Sequence, residues 1–276
     1  MGALVKINQE EFQRIVKYMR DNYGINLSQK QTLVEGRLWS VIQKHGFKSM
    51  GEYFEFVMND TTGEEAKTLI TRLTTNYTYF MREDQHYKFL TGRVLPEWTP
   101  RLRDKDLRIW SAGCSSGEEP YTTAMVLDDY FGPAKKEWDC KVLATDISPQ
   151  VLLMAKEATY PEDRLKNLPP EWKKRYFDQI AGTDSFHVKP LIQNEVIFRS
   201  FNLMERVFPF KKKFHVIFCR NVMIYFEKDT RDALVERYYD ALEPNGYLFI
   251  GMSETVSKTD TRFTFVQPSI YKKGAL

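Results

Sequence analysis

The stretch that decides the fold reads Arg108-Ile-Trp-Ser-Ala-Gly113-Cys-Ser-Ser-Gly117-Glu-Glu-Pro-Tyr121. Its apolar start predicts a strand, its small residues predict a tight turn, and the residues after Gly117 predict the start of a helix. Small residues let a ligand approach the backbone closely, and the free N–H groups at a helix start favour electron-rich ligand groups. The stretch therefore predicts a cofactor-binding turn, although many strand–helix units use glycine merely to turn.

Downstream of this turn, short apolar runs alternate with amphipathic stretches. Strands that alternate with helices imply a parallel sheet covered by helices, so residues 107–276 are predicted to form an α/β domain. Residues 160–195 break the alternation and are interpreted as an insertion with its own small structure. The last two apolar runs, 263–266 and 270–273, flank Pro268-Ser269 and predict a terminal hairpin. The expected strands are 107–112, 141–145, 196–201, 216–219 and 247–251, and the expected helices are 121–130, 151–158 and 230–242.

Upstream of the turn the pattern is helical, with apolar residues at three- and four-residue spacing from position 9 to about 74. Ser28 and Gln31 suggest a capping box at the start of the second helix. A further helix is expected to end near residue 94, before two prolines and a charged run. The sequence thus predicts an all-α N-terminal domain over residues 1–92 and a linker over residues 93–106.

Composition excludes several classes of protein. The formal net charge of +3 gives too weak a field to suggest nucleic-acid binding. No stretch approaches the roughly 18 apolar residues of a membrane span, so membrane insertion is not expected. The sequence instead predicts a soluble cytoplasmic protein. The cysteines have no CxxC spacing and the histidines no metal-ligand spacing, so a reduced compartment and no metal are expected. These residues are Cys114, Cys140, Cys219, His45, His86, His187 and His215.

Asp146 follows the second apolar run of the α/β region. An acidic residue at the tip of the second strand can accept hydrogen bonds from both hydroxyls of a ribose, although it can also act as a helix N-cap before Ser148. Glu118 and Glu119 follow the glycine turn directly and would repel a pyrophosphate. Two carboxylates there suit a sulfonium cofactor that also carries an amino group.

Five segments together resemble the chemotaxis receptor methyltransferase family, the CheR family, over roughly residues 12–272. They are Thr74-Thr-Asn-Tyr-Thr-Tyr-Phe-Met-Arg-Glu83, Gly117-Glu-Glu-Pro-Tyr121, Ala144-Thr-Asp-Ile147, Phe218-Cys-Arg-Asn-Val-Met-Ile-Tyr-Phe226 and Pro244-Asn-Gly-Tyr-Leu-Phe-Ile-Gly-Met-Ser-Glu254. The resemblance implies a Rossmann-like class I methyltransferase domain with a small β insertion, preceded by an all-α domain.

The same resemblance implies an activity. The cofactor would be S-adenosyl-L-methionine, and the product S-adenosyl-L-homocysteine. The enzyme would methyl-esterify glutamate side chains on the cytoplasmic helices of methyl-accepting chemoreceptors, which gives sensory adaptation in chemotaxis. It would act as a monomer.

The resemblance also implies site residues. Arg82 and Tyr225 would lie nearest the transferred methyl group, as the catalytic positions. The acidic position common in other methyltransferases, two residues before the first glycine, is Ser111 here, which moves the role of amine anchor onto Glu119. The cofactor would contact Asn76, Thr78, Arg82, Gly113, Glu119, Asp146, Asn202, Leu203, Arg220 and Asn221.

Substrate recognition is predicted from the second helix, where Lys30, Arg37 and Lys44 recur every seven residues. That spacing is nearly two helical turns, so the three side chains are expected to form a basic ridge along one stripe. The ridge would complement an acidic receptor bundle and raise the encounter rate, although basic stripes also occur on ordinary solvated helices.

Two other functions stay open at this point. Asn221 lies where amino-methyltransferases of nucleic acids carry an Asn/Asp-Pro-Pro-Tyr/Phe motif, but the Pro-Pro pair is missing. A non-catalytic adaptor could also keep the fold. The aromatic residues Tyr77, Tyr79 and Phe80 are interpreted as an adenine-facing or inter-domain cluster, with core packing as the alternative.

Overall fold

The computed structural model describes residues 7–257 and 261–275 of the chain. It begins with a helical unit whose apolar residues face a common core, as the sequence predicts. Asn8 caps the first helix by accepting a hydrogen bond from the Glu11 N–H, and the Glu11 side chain returns one to the Asn8 N–H. The unit contains α1 (Gln9–Tyr23), α2 (Gln31–His45), α3 (Met50–Asn59) and α4 (Glu64–Leu73).

The predicted capping box at Ser28 and Gln31 is wrong. The Asn26 side chain accepts a hydrogen bond from the Ser28 N–H at 2.9 Å, which forms a turn ahead of the helix. Helix α2 therefore begins only at Gln31, with Lys30 as its N-cap and no side-chain cap. Lys30 consequently lies just outside the helix on which the ridge was predicted.

The predicted linker is helical over its first half. Helix α5 (Gln85–Phe89), a π-helical turn (Leu90–Val94) and α6 (Leu95–Trp98) follow one another without a break. The Leu95 N–H bonds to the Leu90 carbonyl, and Pro96, which has no N–H to donate, follows in the first turn of α6. Val94, Leu95 and Trp98 are buried in the core beneath the sheet, so this segment is packed structure.

Ten strands and five further α-helices follow in the part of the chain that the structure describes. The strands are β1 (Ile109–Ala112), β2 (Val142–Asp146), β3 (Thr159–Pro161), β4 (Phe177–Gln179), β5 (Ser185–Val188), β6 (Val196–Ser200), β7 (Phe214–Cys219), β8 (Leu242–Ile250), β9 (Phe263–Gln267) and β10 (Ile270–Lys273). The helices are α7 (Glu118–Phe131), α8 (Pro149–Glu157), α9 (Pro170–Tyr176), α10 (Pro190–Gln193) and α11 (Lys228–Ala241).

Seven of the strands form one mixed sheet in the order β6-β2-β1-β7-β8-β10-β9. The five strands from β6 to β8 are parallel, and β10 runs antiparallel to both of its neighbours. The predicted terminal hairpin is thus β9 with β10. The α/β class predicted from the alternating pattern is confirmed, because the crossovers of a parallel sheet run through helices.

Strands β3, β5 and β4 form a separate three-stranded antiparallel sheet, which is the predicted small β insertion. It is fastened to the cofactor turn by the Tyr160 hydroxyl, which donates to the Ser116 carbonyl at 2.6 Å. The Phe177 ring packs edge-on against Phe80. In the part of the chain that the structure describes, no helix is long and apolar enough to cross a membrane.

Candidate active site

A cavity of about 970 Å³, including its open mouth, lies where β1, β2 and β7 end. Ligands bind at such a point in open α/β sheets, because the strand order reverses between β1 and β7 and leaves a crevice at the carboxyl ends of the strands. The helical unit closes the other side of the cavity with Tyr23, the last residue of α1, and Ile25, which follows that helix. The cavity is therefore an inter-domain cleft, with the size of a small-molecule site.

The two glycines of the cofactor turn are required by the local geometry. Gly113 has a φ of 91° and Gly117 a φ of 98°, values that other residues rarely adopt. A Cβ on Gly113 would lie 2.4 Å from a methyl group of Val222, and one on Gly117 would lie 2.9 Å from the Tyr160 hydroxyl. The tight turn brings the backbone of Gly113 to the cavity wall, as the sequence predicts.

Asp146 joins two turns at the edge of this cavity. One carboxylate oxygen accepts the Ser115 N–H at 2.8 Å, and the other accepts the Ser148 N–H at 2.9 Å. The N-cap of α8 is Ser148, so Asp146 supports the helix start from outside it. Burial raises the pKa of the Asp146 carboxyl. Each oxygen retains a lone pair, and these suit the two hydroxyls of a ribose.

Glu119, at the start of α7, lines the cavity beside the glycine turn. Its two oxygens accept hydrogen bonds from the Ser111 hydroxyl at 2.7 Å and the Arg220 guanidinium at 3.0 Å. Burial raises the pKa of the Glu119 carboxyl even though Arg220 lies beside it. Ser111, the last position but one before Gly113, therefore supports Glu119. The role of Glu119 as amine anchor stays a prediction.

Glu118 does not face the cavity, so the interpretation of two neighbouring carboxylates around the ligand is wrong. It is 1% exposed and accepts hydrogen bonds from the Ser116 hydroxyl and from Arg164 in the β insertion. Successive residues of a helix point about 100° apart, so only one of the two can line the cavity. Of the two, only Glu119 lines the cavity.

Glu83 is a site residue that sequence reasoning missed. Its carboxylate accepts hydrogen bonds from Arg220 Nε at 3.2 Å, Asn221 Nδ2 at 3.2 Å and the Met252 N–H at 3.3 Å. Burial opposes ionisation, but Arg220 and these hydrogen bonds outweigh it, so the pKa of Glu83 lies below its usual value. The buried Arg220 is thereby held between two partly buried carboxylates, those of Glu83 and Glu119.

Glu254 is the second missed residue. It accepts the N–H groups of Asn221 at 2.8 Å, Gly251 at 2.5 Å and Ile224 at 3.2 Å. Asn221 has a φ of 59°, which is unusual outside glycine, and these contacts hold it there. Glu254 therefore fixes the turn that carries both Asn221 and Tyr225.

Arg82, which precedes α5, and Tyr225, which follows β7, both line the cavity. Arg82 donates to the Tyr77 carbonyl at 2.9 Å, and within the described residues it forms no ion pair. The Tyr225 hydroxyl lies 3.5 Å from the Thr75 carbonyl, at the long limit of a hydrogen bond. Both groups can therefore reach a new partner in the cavity.

All the residues predicted to contact the cofactor lie around this one cavity, together with Tyr225. The Asn202 side chain is bound to protein on both sides, because it donates to the Asn22 carbonyl at 2.8 Å and accepts the Met204 N–H at 3.0 Å. The structure brings together Asn76, Thr78, Arg82, Gly113, Glu119, Asp146, Asn202, Leu203, Arg220, Asn221 and Tyr225. Their individual roles remain predictions.

The three ridge residues lie outside the cavity and do not form a uniform stripe. Lys30 places its ammonium 5.3 Å from the centre of the Tyr225 ring. Arg37 bends away and donates to the Thr74 carbonyl at 2.8 Å and the Thr75 hydroxyl at 2.7 Å. Lys44 is exposed.

The sheet, the glycine turn and the carboxylates after β1 and β2 define an S-adenosylmethionine-dependent methyltransferase with a Rossmann-like class I fold. Residues 10–74 match the all-alpha domain of CheR methyltransferases, and residues 76–272 match their SAM binding domain. The chain belongs to the CheR methyltransferase family. The two matched domains meet near residue 75, earlier than the predicted boundary after residue 92.

Three relatives carry names that describe the same activity. The chain is 44% identical to the chemotaxis protein methyltransferase of Borreliella burgdorferi, over 98% of this chain and 96% of that protein. It is 38% identical to a probable chemotaxis protein methyltransferase of Rhizobium etli, over 85% of this chain and 88% of that protein. It is 35% identical to the chemotaxis protein methyltransferase of Escherichia coli, over 98% of this chain and 93% of that protein.

The residues present fit the cofactor of this family. A Cβ at Gly113 would collide with Val222 beside the cavity, so the close backbone approach is built into the fold. Burial raises the pKa of both Glu119 and Asp146, because it disfavours the ionised carboxylates. A cationic or hydroxyl-bearing ligand group beside them would stabilise the ionised form. The predicted class of enzyme and its predicted cofactor, S-adenosyl-L-methionine, are confirmed.

Proposed function

We propose that this chain methyl-esterifies glutamate side chains on the cytoplasmic helices of methyl-accepting chemoreceptors. The observation that carries the proposal is Arg82, a cation at the cavity that has no carboxylate partner within the described residues. An anionic acceptor would supply that partner. The names of the relatives, chemotaxis protein methyltransferases, support a receptor of chemotactic signals as the acceptor.

The chemistry needs alignment more than activation. The bound cofactor supplies a methyl group on a positively charged sulfur. A glutamate carboxylate is already ionised at neutral pH, with a usual pKa of about 4.3, so no general base is required. An oxygen–carbon bond forms as the carbon–sulfur bond breaks, and the released electron pair stays on sulfur. Holding the reacting atoms in line can contribute about 7 kcal/mol or more.

Each side chain then has one role. Asp146 would accept the ribose hydroxyls, and Glu119 would hold the amino group of the cofactor. Arg82 would orient the acceptor carboxylate by charge-assisted hydrogen bonds, and Tyr225 would give up its long contact to Thr75 and donate to the same group. Asn221 is held by Glu83, which does not favour a nucleic-acid amino group as acceptor.

Replacing Asp146 with alanine is expected to weaken S-adenosylmethionine binding by about 1.5–3 kcal/mol, the range for hydrogen bonds to a charged group. Calorimetric titration measures the effect. Asp146→Asn is the matched control, because its amide oxygen can still support one of the two turns. An unchanged dissociation constant in Asp146→Ala would mean that Asp146 does not bind the cofactor and only supports the two backbone turns.

Reversing the charges of Lys30 and Lys44 to glutamate is expected to slow methylation at low salt and to leave cofactor binding intact, because both lie outside the cavity. Arg37 is kept, since it ties the helical unit to Thr74 and Thr75. The difference should fade as added salt shortens the Debye length from ~10 Å to ~3 Å.

The matched control for this charge reversal is Lys136→Glu with Lys211→Glu, which changes the net charge equally at exposed positions away from the cleft. If the control slows methylation as much as the Lys30 and Lys44 variant, then net charge alone acts and the ridge has no special role.

The acceptor residue can be identified by mass spectrometry. The enzyme is incubated with the cofactor and the cytoplasmic fragment of a methyl-accepting chemoreceptor from the same genome. Peptides that gain one methyl group on glutamate are expected, and glutamine at those positions should abolish the gain. Methylation confined to lysine or to cysteine would contradict the proposal.

A further inference from the structure

Beside the cavity lie two neighbouring aromatic rings with a cation on either side. Arg164 lies with its guanidinium carbon 5.6 Å from the centre of the Tyr77 ring, and the Tyr77 and Tyr79 rings are 5.9 Å apart. Arg82 lies 5.9 Å from the centre of the Tyr79 ring. We call these four side chains, Arg164, Tyr77, Tyr79 and Arg82, the aromatic lip. Three of them, Tyr77, Tyr79 and Arg82, line the cavity itself.

The exposure of Tyr77 is the unusual feature of the lip. Its side chain is 66% exposed, whereas Phe80, three residues later, is fully buried between the rings of Tyr160 and Phe177. The sequence left open whether these aromatics pack in the core or face the site. Phe80 packs in the core, and Tyr77 leaves a large aromatic surface in water, where it contributes little to folding.

The backbone beneath Tyr77 is firmly held. Its carbonyl accepts a hydrogen bond from Arg82, and the carbonyl of the preceding residue, Asn76, accepts the Ser115 hydroxyl at 2.8 Å. Arg164 also donates to the Thr78 carbonyl. An exposed tyrosine on a rigid support loses little entropy when it is covered, which is typical of residues that dominate a protein interface.

We propose that the aromatic lip is the docking surface for the acceptor protein, and that an acidic helical segment packs across Tyr77 while its target glutamate enters the cavity. The inference rests on the proposed function and adds the surface that sets affinity for the acceptor. Two observations select this occupant. The lip is continuous with the cavity through which the methyl group must leave, and its Arg82 has no carboxylate partner in the described part of the chain.

Tyr77 has a defined role in this arrangement. Its ring covers apolar side chains next to the target glutamate, whose carboxylate Arg82 orients. Arg164, which is paired with Glu118, supports the Tyr77 ring from the other side. It does not touch the reacting atoms. The loss of its ring should therefore raise KM for the protein acceptor and leave both kcat and cofactor binding in place.

Initial-rate kinetics test this with the cytoplasmic fragment of a chemoreceptor from the same genome as the varied substrate. Tyr77→Ser is expected to raise KM by on the order of tenfold, the cost of truncating an interface aromatic. Tyr77→Phe should keep KM close to the wild-type value. Tyr130→Ser, which truncates an exposed tyrosine of α7 outside the cavity, is the matched control and should leave KM unchanged.

Two outcomes overturn the proposal. Equal KM values for Tyr77→Ser and the wild type would mean that the lip does not contact the acceptor. A weaker dissociation constant for S-adenosylmethionine, of the same size as the rise in KM, would assign Tyr77 to the cofactor. The wild-type enzyme separates this inference from the proposed function. If the wild type does not methylate the fragment, the proposed function is contradicted. If the wild type methylates it and Tyr77→Ser has the same KM, only the role of the aromatic lip is contradicted.

Discussion

Replacing Arg82 with alanine is expected to lower kcat on the receptor fragment by about 10- to 150-fold, the rate equivalent of losing charge-assisted hydrogen bonds worth ~1.5–3 kcal/mol. The fold of the loop should survive, because Ser115 and Arg164 also hold its backbone. Cofactor affinity should change less than turnover. Initial rates at saturating acceptor, together with calorimetry of cofactor binding, measure the two effects separately.

Two companion variants sharpen this expectation. Arg82→Lys keeps the charge but loses the planar fork that matches a carboxylate, so only part of the rate should return. Tyr225→Phe removes a single neutral hydrogen bond and should also lower turnover more than cofactor affinity, by a smaller factor. A wild-type kcat in Arg82→Ala, or a change confined to KM, would mean that Arg82 does not orient the acceptor carboxylate for the reaction.

Replacing Arg220 with methionine is expected to lower the free energy of unfolding by about 3–5 kcal/mol, the cost of breaking a buried ion pair from one side. The buried Arg220 lies between Glu83 and Glu119, and its loss leaves these two partly buried carboxylates without their shared cation. Chemical denaturation measures the effect. Arg206→Met, at an exposed position, is the matched control and should change stability by no more than about 0.5 kcal/mol.

The Arg220 variant also has an expected pH dependence. In the wild type the pKa of Glu83 is depressed, so the stability it contributes is present above its unfolded pKa and is lost as the pH falls through the folded value. Without Arg220 the carboxylates are more easily protonated, and protonation relieves their repulsion. The destabilisation should therefore be smaller at acidic pH. A loss of less than about 1 kcal/mol at neutral pH would contradict the buried-charge account.

Local sequence signals predicted much of the fold because they act within one element. The alternation of apolar runs gave the parallel sheet, and three- and four-residue spacing gave the helical unit. The two failures came from competing local interactions. Asn26 forms a turn that delays α2, and a π-helical turn lets the chain pass Pro96 without ending the helix. Neither outcome can be derived from residue type alone.

The site residues that were predicted follow from the sequence of a single segment. The residues that were missed depend on contacts between two segments far apart in the sequence. The glycine turn and Asp146 each follow a strand, so their position at the sheet edge is implied by the topology. Glu83 contacts Arg220 across 137 positions of sequence, and no spacing rule reports such a pair. Glu118 was misassigned because the exact phase of α7 decides which of two adjacent carboxylates faces the cavity.

The central claim is that the inter-domain cavity transfers a methyl group to a carboxylate oxygen of a chemoreceptor. Its most direct test is incubation of the wild-type enzyme with methyl-labelled S-adenosylmethionine and the receptor fragment, followed by mild base. A methyl ester is hydrolysed under these conditions, so the label should leave the protein as methanol, and Arg82→Ala should release far less. Label that enters the receptor but resists mild base would lie on nitrogen or sulfur, and it would contradict the account.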